Sequence, residues 1–196
     1  MDILSLFNFA LIIQLFVLID PLTAFPILMA AYKNKMNIRK IAVSAVLIAF
    51  IIAVIIAIFG LYLFDIFGIS IDAFRIAGGI VLLLLGIETI RPKQEDKVDI
   101  KKTDAIISII ATPLLTGPAI ISFVTIKVYE IGKLSVISNI LIAFILVAII
   151  FIIFSFFISK INSKVIDIIS KILGLFLTAI AIEMIAKGIH GLISAG

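Results

Sequence analysis

The chain has no cysteine, no tryptophan and a single histidine, His190. Without cysteine there is no disulfide, no thiolate metal ligand and no thiol nucleophile. One histidine gives no imidazole cluster, so no metal site is expected. Charge is scarce too: 14% of residues are charged, where soluble domains carry about 25%. The basic residues fall in short gaps between apolar runs rather than on one face, which excludes a nucleic-acid footprint. A phosphate-cradling glycine loop is missing, so the chain does not drive anything with ATP by itself. There is no serine elbow and no acid–histidine set either. No catalytic residue, enzyme activity or cofactor is therefore expected.

What remains is apolar: 64% of the 196 residues, with a mean hydropathy of +1.39. Such a chain cannot cover a globule with polar groups, so its outer solvent is lipid. Spanning a bilayer takes about 20 mostly apolar residues. Six runs reach that length, near 3–31, 40–63, 72–91, 104–128, 134–159 and 164–190, called spans 1 to 6 here. The first 30 residues lack a basic n-region and a small-residue cleavage site, and read as a retained helix. The expected fold is all-α, a polytopic membrane protein of six helices forming one membrane domain over 1–196.

Lysine and arginine set the expected orientation. The gaps after spans 1, 3 and 5, with the span ends beside them, hold twelve, from Lys33 through Arg91 to Lys171; the other side holds four, Arg75, Lys127, Lys133 and Lys187. Both termini are expected outside the cell membrane and the segment 91–103 in the cytoplasm.

That segment divides the chain into related halves, 1–90 and 104–196. Span 1 contains Asp20-Pro21-Leu22 with Pro26, and span 4 contains Thr112-Pro113-Leu114 with Pro118, at a constant offset of 92 positions. Arg75-Ile76-Ala77-Gly78 in span 3 matches Lys171-Ile172-Leu173-Gly174 in span 6, and Gly86-Ile87-Glu88 matches Ala181-Ile182-Glu183. Three spans per half is an odd number, so the second half enters from the opposite face and the repeat is inverted.

Proline inside a helix removes a donor and clashes with the preceding turn, at a cost of about 3 kcal/mol. Lipid supplies no replacement hydrogen bonds, so such breaks are confined to protein-lined or wet surroundings. Asp20 and Thr112 have the chemistry of N-caps, and Pro21 and Pro113 suit the first helical position. Spans 1 and 4 are each expected to stop and restart near the bilayer middle. New helix amides there suit a carboxylate, and the carbonyls of the ended half suit an ammonium. The candidate substrate site is thus Asp20, Pro21, Thr23, Ala24 and Phe25 with Thr112, Pro113, Thr116 and Gly117. The alternative is that both motifs are kinks that only shape packing. Asp20 lies deep in the expected hydrocarbon, where a carboxyl group is a candidate proton carrier. Glu183, repeat-matched to Glu88, is the second such candidate. Lys127 is expected to snorkel outward.

Gly79 with Gly86, and Ser170, Gly174 and Thr178, recur at helical spacing and suit close helix contact. Spans 2 and 5 are almost pure Ile, Phe, Val, Leu and Ala, and read as lipid-facing walls around spans 1, 3, 4 and 6.

At these residues the chain resembles the MarC family, also described as small neutral amino acid transporters. The resemblance covers essentially the whole chain. It rests on Ile19-Asp20-Pro21 with Pro26, on Arg75-Ile76-Ala77-Gly78-Gly79, on Thr112-Pro113-Leu114 with Thr116-Gly117-Pro118, and on Gly174 to Glu183 with Ile185. It implies six membrane helices and transport of glycine, alanine and serine driven by a proton or sodium gradient. The expected partners are the lipid bilayer, a small neutral amino acid, a coupling ion and, as an open case, further copies of the chain. The competing reading is an ion permease or channel without an organic substrate; the lack of charged rings and of a carbonyl filter motif argues against it.

Overall fold

The computed structural model describes residues 7–91, 103–111, 115–158 and 163–195, and among these every regular element is helical. Eight α-helices follow in order. They are α1 (Phe9–Ile19), α2 (Phe25–Lys33), α3 (Ile38–Phe67), α4 (Ile71–Ile90), α5 (Thr103–Ile109), α6 (Pro118–Ile131), α7 (Lys133–Phe157) and α8 (Ser163–Ala195). A 3-10 turn, Pro21–Ala24, joins α1 to α2.

Among the described residues, five spans are long and apolar enough to cross a membrane, counting α1 through α2 as one. The sixth, span 4, is divided: α5 and α6 have seven and 14 residues, so neither crosses alone. The ends of the chain agree with an even number of crossings. The first turn of α1 meets α7 near its start, where Asn139 Oδ1 accepts from the Asn8 amide at 2.9 Å. The start of α4 meets the end of α6 through Arg75 and Glu130, and the end of α8 lies against Asp72. The first and last described residues therefore sit at one end of the bundle, labelled the outer end after the orientation expected from the sequence.

Local chemistry sets the helix limits. Asn37 caps α3 by accepting from the Lys40 amide at 3.0 Å, and Ser70 caps α4 by accepting from Ala73 at 3.2 Å. Helix α3 runs past the expected stop at residue 63, because the residue that ends it is Gly68, left-handed at φ 62. Glycine enters that region without a Cβ penalty. At about 1.5 Å per residue its 30 residues reach about 45 Å, longer than the bilayer core.

The packing corrects one expectation. Spans 1 and 4 are central, but spans 3 and 6 are not: an apolar 18-residue stretch of span 1 is 67% buried, against 28% for those of α4 and α8, and Ile106, Ile110, Leu115, Ile120 and Val124 of span 4 are fully buried. The small residues of α4 and α8 serve one antiparallel contact. A Cβ on Gly86 would lie 3.0 Å from the Gly174 carbonyl oxygen, and one on Gly79 would lie 2.9 Å from that of Ala181. The other faces carry Ile80, Leu84, Leu175 and Phe176, all exposed as lipid requires. Spans 2 and 5 in turn are more than walls. Ala42, Ala45, Ala49, Ala53 and Ala57 form a buried stripe along α3, and α3 packs along α7, whose Val136, Ile140, Ala143, Val147 and Phe151 are also buried.

Candidate functional site

Span 1 breaks where the prolines require it, though not with the expected cap. An N-cap needs extended dihedrals so that its side chain reaches forward to the new amides. Asp20 instead sits left-handed at φ 39, ψ 70, as the C-cap that follows α1, and its side chain makes no capping bond to the turn that follows. Its own amide donates to the Phe16 carbonyl at 3.2 Å. The turn is closed by Thr23, whose amide and hydroxyl both donate to the Asp20 carbonyl, at 3.2 and 2.7 Å. Pro21 occupies the first turn of the 3-10 segment as expected, and the α-helix resumes four residues later, at Phe25, with Pro26 in its first turn.

The second break follows a similar plan. Thr112 and Pro113 lie outside the described residues. Around them, the Leu115 amide donates to Ile110 at 3.0 Å, and the Thr116 hydroxyl donates to the Ala111 carbonyl at 2.7 Å. Gly117 then caps α6. In both breaks a threonine hydroxyl returns to the carbonyl that ends the first half-helix. Each spends its one donor there and keeps only acceptor capacity. Sequence reasoning named Thr23 and Thr116 but missed this use of them; threonine just after a proline break is the signal for it.

The bonds also separate the two breaks in what they offer. The amides of Thr23 and Phe25 are taken, the latter by Leu22. The carbonyls of Asp20 and Ala111, foreseen as acceptors for an ammonium, already accept from threonine. The first amides of α6 are those a helix cannot pair within itself. The helix terminus best suited to a carboxylate is therefore at Gly117, more than at Thr23–Phe25.

Helix α1 packs on α6, and α2 on α5. First half against second half, in both pairs, runs the interrupted helices antiparallel, and the Pro21–Ala24 turn packs on α7 and α8. Asp20, Pro21, Ala24, Phe25, Thr116 and Gly117 are all buried, and Thr23 partly so. The Phe25 ring turns to α7, edge-on to Phe154 at 5.3 Å. It packs the break against its neighbour.

Glu183 lies elsewhere. It is two-thirds exposed on α8, paired with Lys187 at 3.1 Å, and it lines a cavity of about 220 Å³ at the outer end. Gln14, Arg75, Lys127, Glu130 and Lys187 share that cavity, over an apolar wall that includes Phe123, Ala179 and Met184. Arg75 bridges Asp72 at 2.7 Å and Glu130 at 2.9 Å, tying α4 to α6. Lys127 does not snorkel away: its ammonium is 2.8 Å from Glu130 and lies over the Phe123 ring. Arg75 enters the sequence reading through the charge bias, the repeat and the family resemblance, not as a site residue, and nothing there singles out Gln14 or Glu130.

A family model described as MarC family integral membrane protein matches residues 5–193. Among curated relatives, a UPF0056 membrane protein of Methanocaldococcus jannaschii is 33% identical, with 98% of this chain and 90% of the relative aligned. A second from that organism is 34% identical over 91% and 93%. One from Buchnera aphidicola is 29% identical over 95% of each chain. No solved structure matches.

Proposed function

This chain belongs to the MarC family of integral membrane proteins, and from that premise we propose that it is a secondary transporter of small neutral amino acids. The observation that carries the proposal is the pair of interrupted helices, packed antiparallel, with the described residues of both breaks mostly buried. Breaks at membrane depth are tolerated where they line a cavity or protein, and matched breaks in two halves mark binding sites in transporters. Under this reading the α6 terminus at Gly117 takes the substrate carboxylate, and Asp20, Pro21, Thr23, Ala24, Phe25 and Thr116, with Thr112 and Pro113, shape the pocket. Asp20 and Glu183 are the proposed proton carriers. The substrate crosses by alternating access of two inverted halves. Support for the inversion comes from the α4–α8 contact. Gly86 meets Gly174, and Gly79 meets Ala181, close to the exchange that swapping the halves would produce.

Purified protein in liposomes should take up labelled glycine saturably, with competition by alanine and serine, and faster under an imposed proton or sodium gradient. Gly117→Val sharpens the test. Position 117 is extended, at φ −66, ψ 179, so valine fits the backbone and its effect reads crowding alone. It should raise the apparent KM for alanine and serine more than for glycine. Ion flux without saturable glycine uptake would instead favour a permease.

The proposed location is the cell membrane, termini outside and the 91–103 segment in the cytoplasm, on the bias of basic residues. Glu95→Cys in this cysteine-free chain should react with impermeant thiol reagents in inside-out vesicles only. Labelling in intact cells would reverse the orientation.

A further inference from the structure

We propose that the outer cavity is a second binding subsite, in which Arg75 receives the carboxylate of a small amino acid before or after it occupies the breaks. The inference rests on the transport reading above, and it concerns residues outside the paired breaks.

The cavity is small. Its volume of about 220 Å³ falls below the range of about 300–1,000 Å³ typical of drug-sized ligands. A molecule of a few heavy atoms fits it. The charged lining sets Arg75, Lys127 and Lys187 against Glu130 and Glu183, so both signs are present for the two ends of a zwitterion. The two acids are unlike each other. Glu130 is held by two cations, Arg75 at 2.9 Å and Lys127 at 2.8 Å. Among the described residues Glu183 has only the longer contact to Lys187, and it is mostly exposed, which leaves it the better partner for an incoming ammonium.

Arg75 supplies the anchor. A guanidinium carries five donors in a planar fork that matches a carboxylate. Its Nη1 goes to Asp72 and its Nη2 to Glu130. Its Nε is buried and has no acceptor among the described residues. A buried donor left unmade is unfavourable, and a ligand carboxylate that takes the place of Glu130, side-on across Nε and Nη2, would satisfy it. The side chain is held in place from behind. A Cβ on Gly188 would lie 2.7 Å from the Asp72 carbonyl oxygen and 3.1 Å from Arg75 Cβ, and one on Gly191 would collide with the Asp72 carboxylate. The end of α8 is thus closed tightly around the Asp72–Arg75 pair.

The chain has three arginines, Arg39, Arg75 and Arg91, which makes a chemical footprint decisive. In an Arg39→Lys/Arg91→Lys background, phenylglyoxal reports on Arg75 alone. Saturating glycine or alanine should slow its modification several-fold. Glycinamide and methylamine, which carry the ammonium without the carboxylate, should not. Glu130→Gln removes the competing carboxylate and should give protection at lower glycine concentration. An unchanged rate, in protein that still takes up glycine in liposomes, overturns the subsite and leaves the transport reading standing. Protection without uptake upholds the subsite and overturns transport. Protection by glycinamide equal to that by glycine overturns the carboxylate assignment.

Discussion

Gly86→Val should pry α4 from α8 and lower the thermal unfolding midpoint of the purified protein by about 4–12 °C. That range follows from a cost of about 2–3 kcal/mol for forcing volume into a filled contact. A Cβ at position 86 would lie 2.6 Å from Thr178 Cγ2, and 3.0 Å from both the Gly174 carbonyl oxygen and the Thr178 amide nitrogen. The methyl group could be cut away by Thr178→Ser. The carbonyl and amide belong to the α8 backbone and move only with the helix. The double variant Gly86→Val/Thr178→Ser should therefore recover only part of the loss. In membranes this contact has no hydrophobic drive behind it, since lipid is as apolar as leucine, and close backbone approach takes its place. Gly68→Ala is the control. It meets nothing within 4 Å but sits at φ 62, so it should cost only the left-handed penalty of about 1–2 kcal/mol. Thermal unfolding in detergent of the three variants beside the native chain checks this. A midpoint for Gly86→Val equal to the native one would show that α4 and α8 are held by something else.

Helix number and breaks were legible because each depends on local chemistry. An apolar run of span length has one solution in lipid, and two prolines five apart leave no continuous helix through either motif. Capping was legible only in kind. Asp20 has the right side chain for an N-cap, but its backbone turns left-handed, and that choice depends on how the following turn packs. The alanine stripe of α3 was present in the spacing of Ala42, Ala45, Ala49, Ala53 and Ala57, yet overall hydropathy hides it, since alanine counts as apolar on any face. The Arg75–Glu130 pair was not legible at all. Its partners are 55 residues apart, on helices that the sequence does not pair, and each reads alone as an interfacial charge. Only the fold makes them neighbours, and with them the outer cavity.

Asp20→Asn should abolish gradient-driven accumulation of glycine while leaving glycine exchange across the same liposomes intact. The reasoning uses the conformation as much as the charge. Asp20 is 4% exposed and holds φ 39, a region that asparagine enters more readily than other side-chain-bearing residues. Asparagine therefore keeps the turn and removes the ionisable group. Two further variants separate those contributions. Asp20→Gly relieves the backbone and also removes the carboxylate, so it should keep the left-handed turn and be equally uncoupled. Asp20→Ala has no local polar group to support the left-handed turn and should lose about 1–2 kcal/mol of stability as well as coupling. The Thr23 bonds to the Asp20 carbonyl involve only backbone at position 20, so none of the three variants removes them. Accumulation ratio and unfolding midpoint, measured on all three, divide the outcomes. If accumulation falls only where stability falls, in Asp20→Ala, the residue serves the break and the coupling carboxyl is elsewhere. If it falls in all three while exchange persists, a proton carried at Asp20 drives the cycle, and the left-handed turn is how the chain holds that carboxyl between two half-helices.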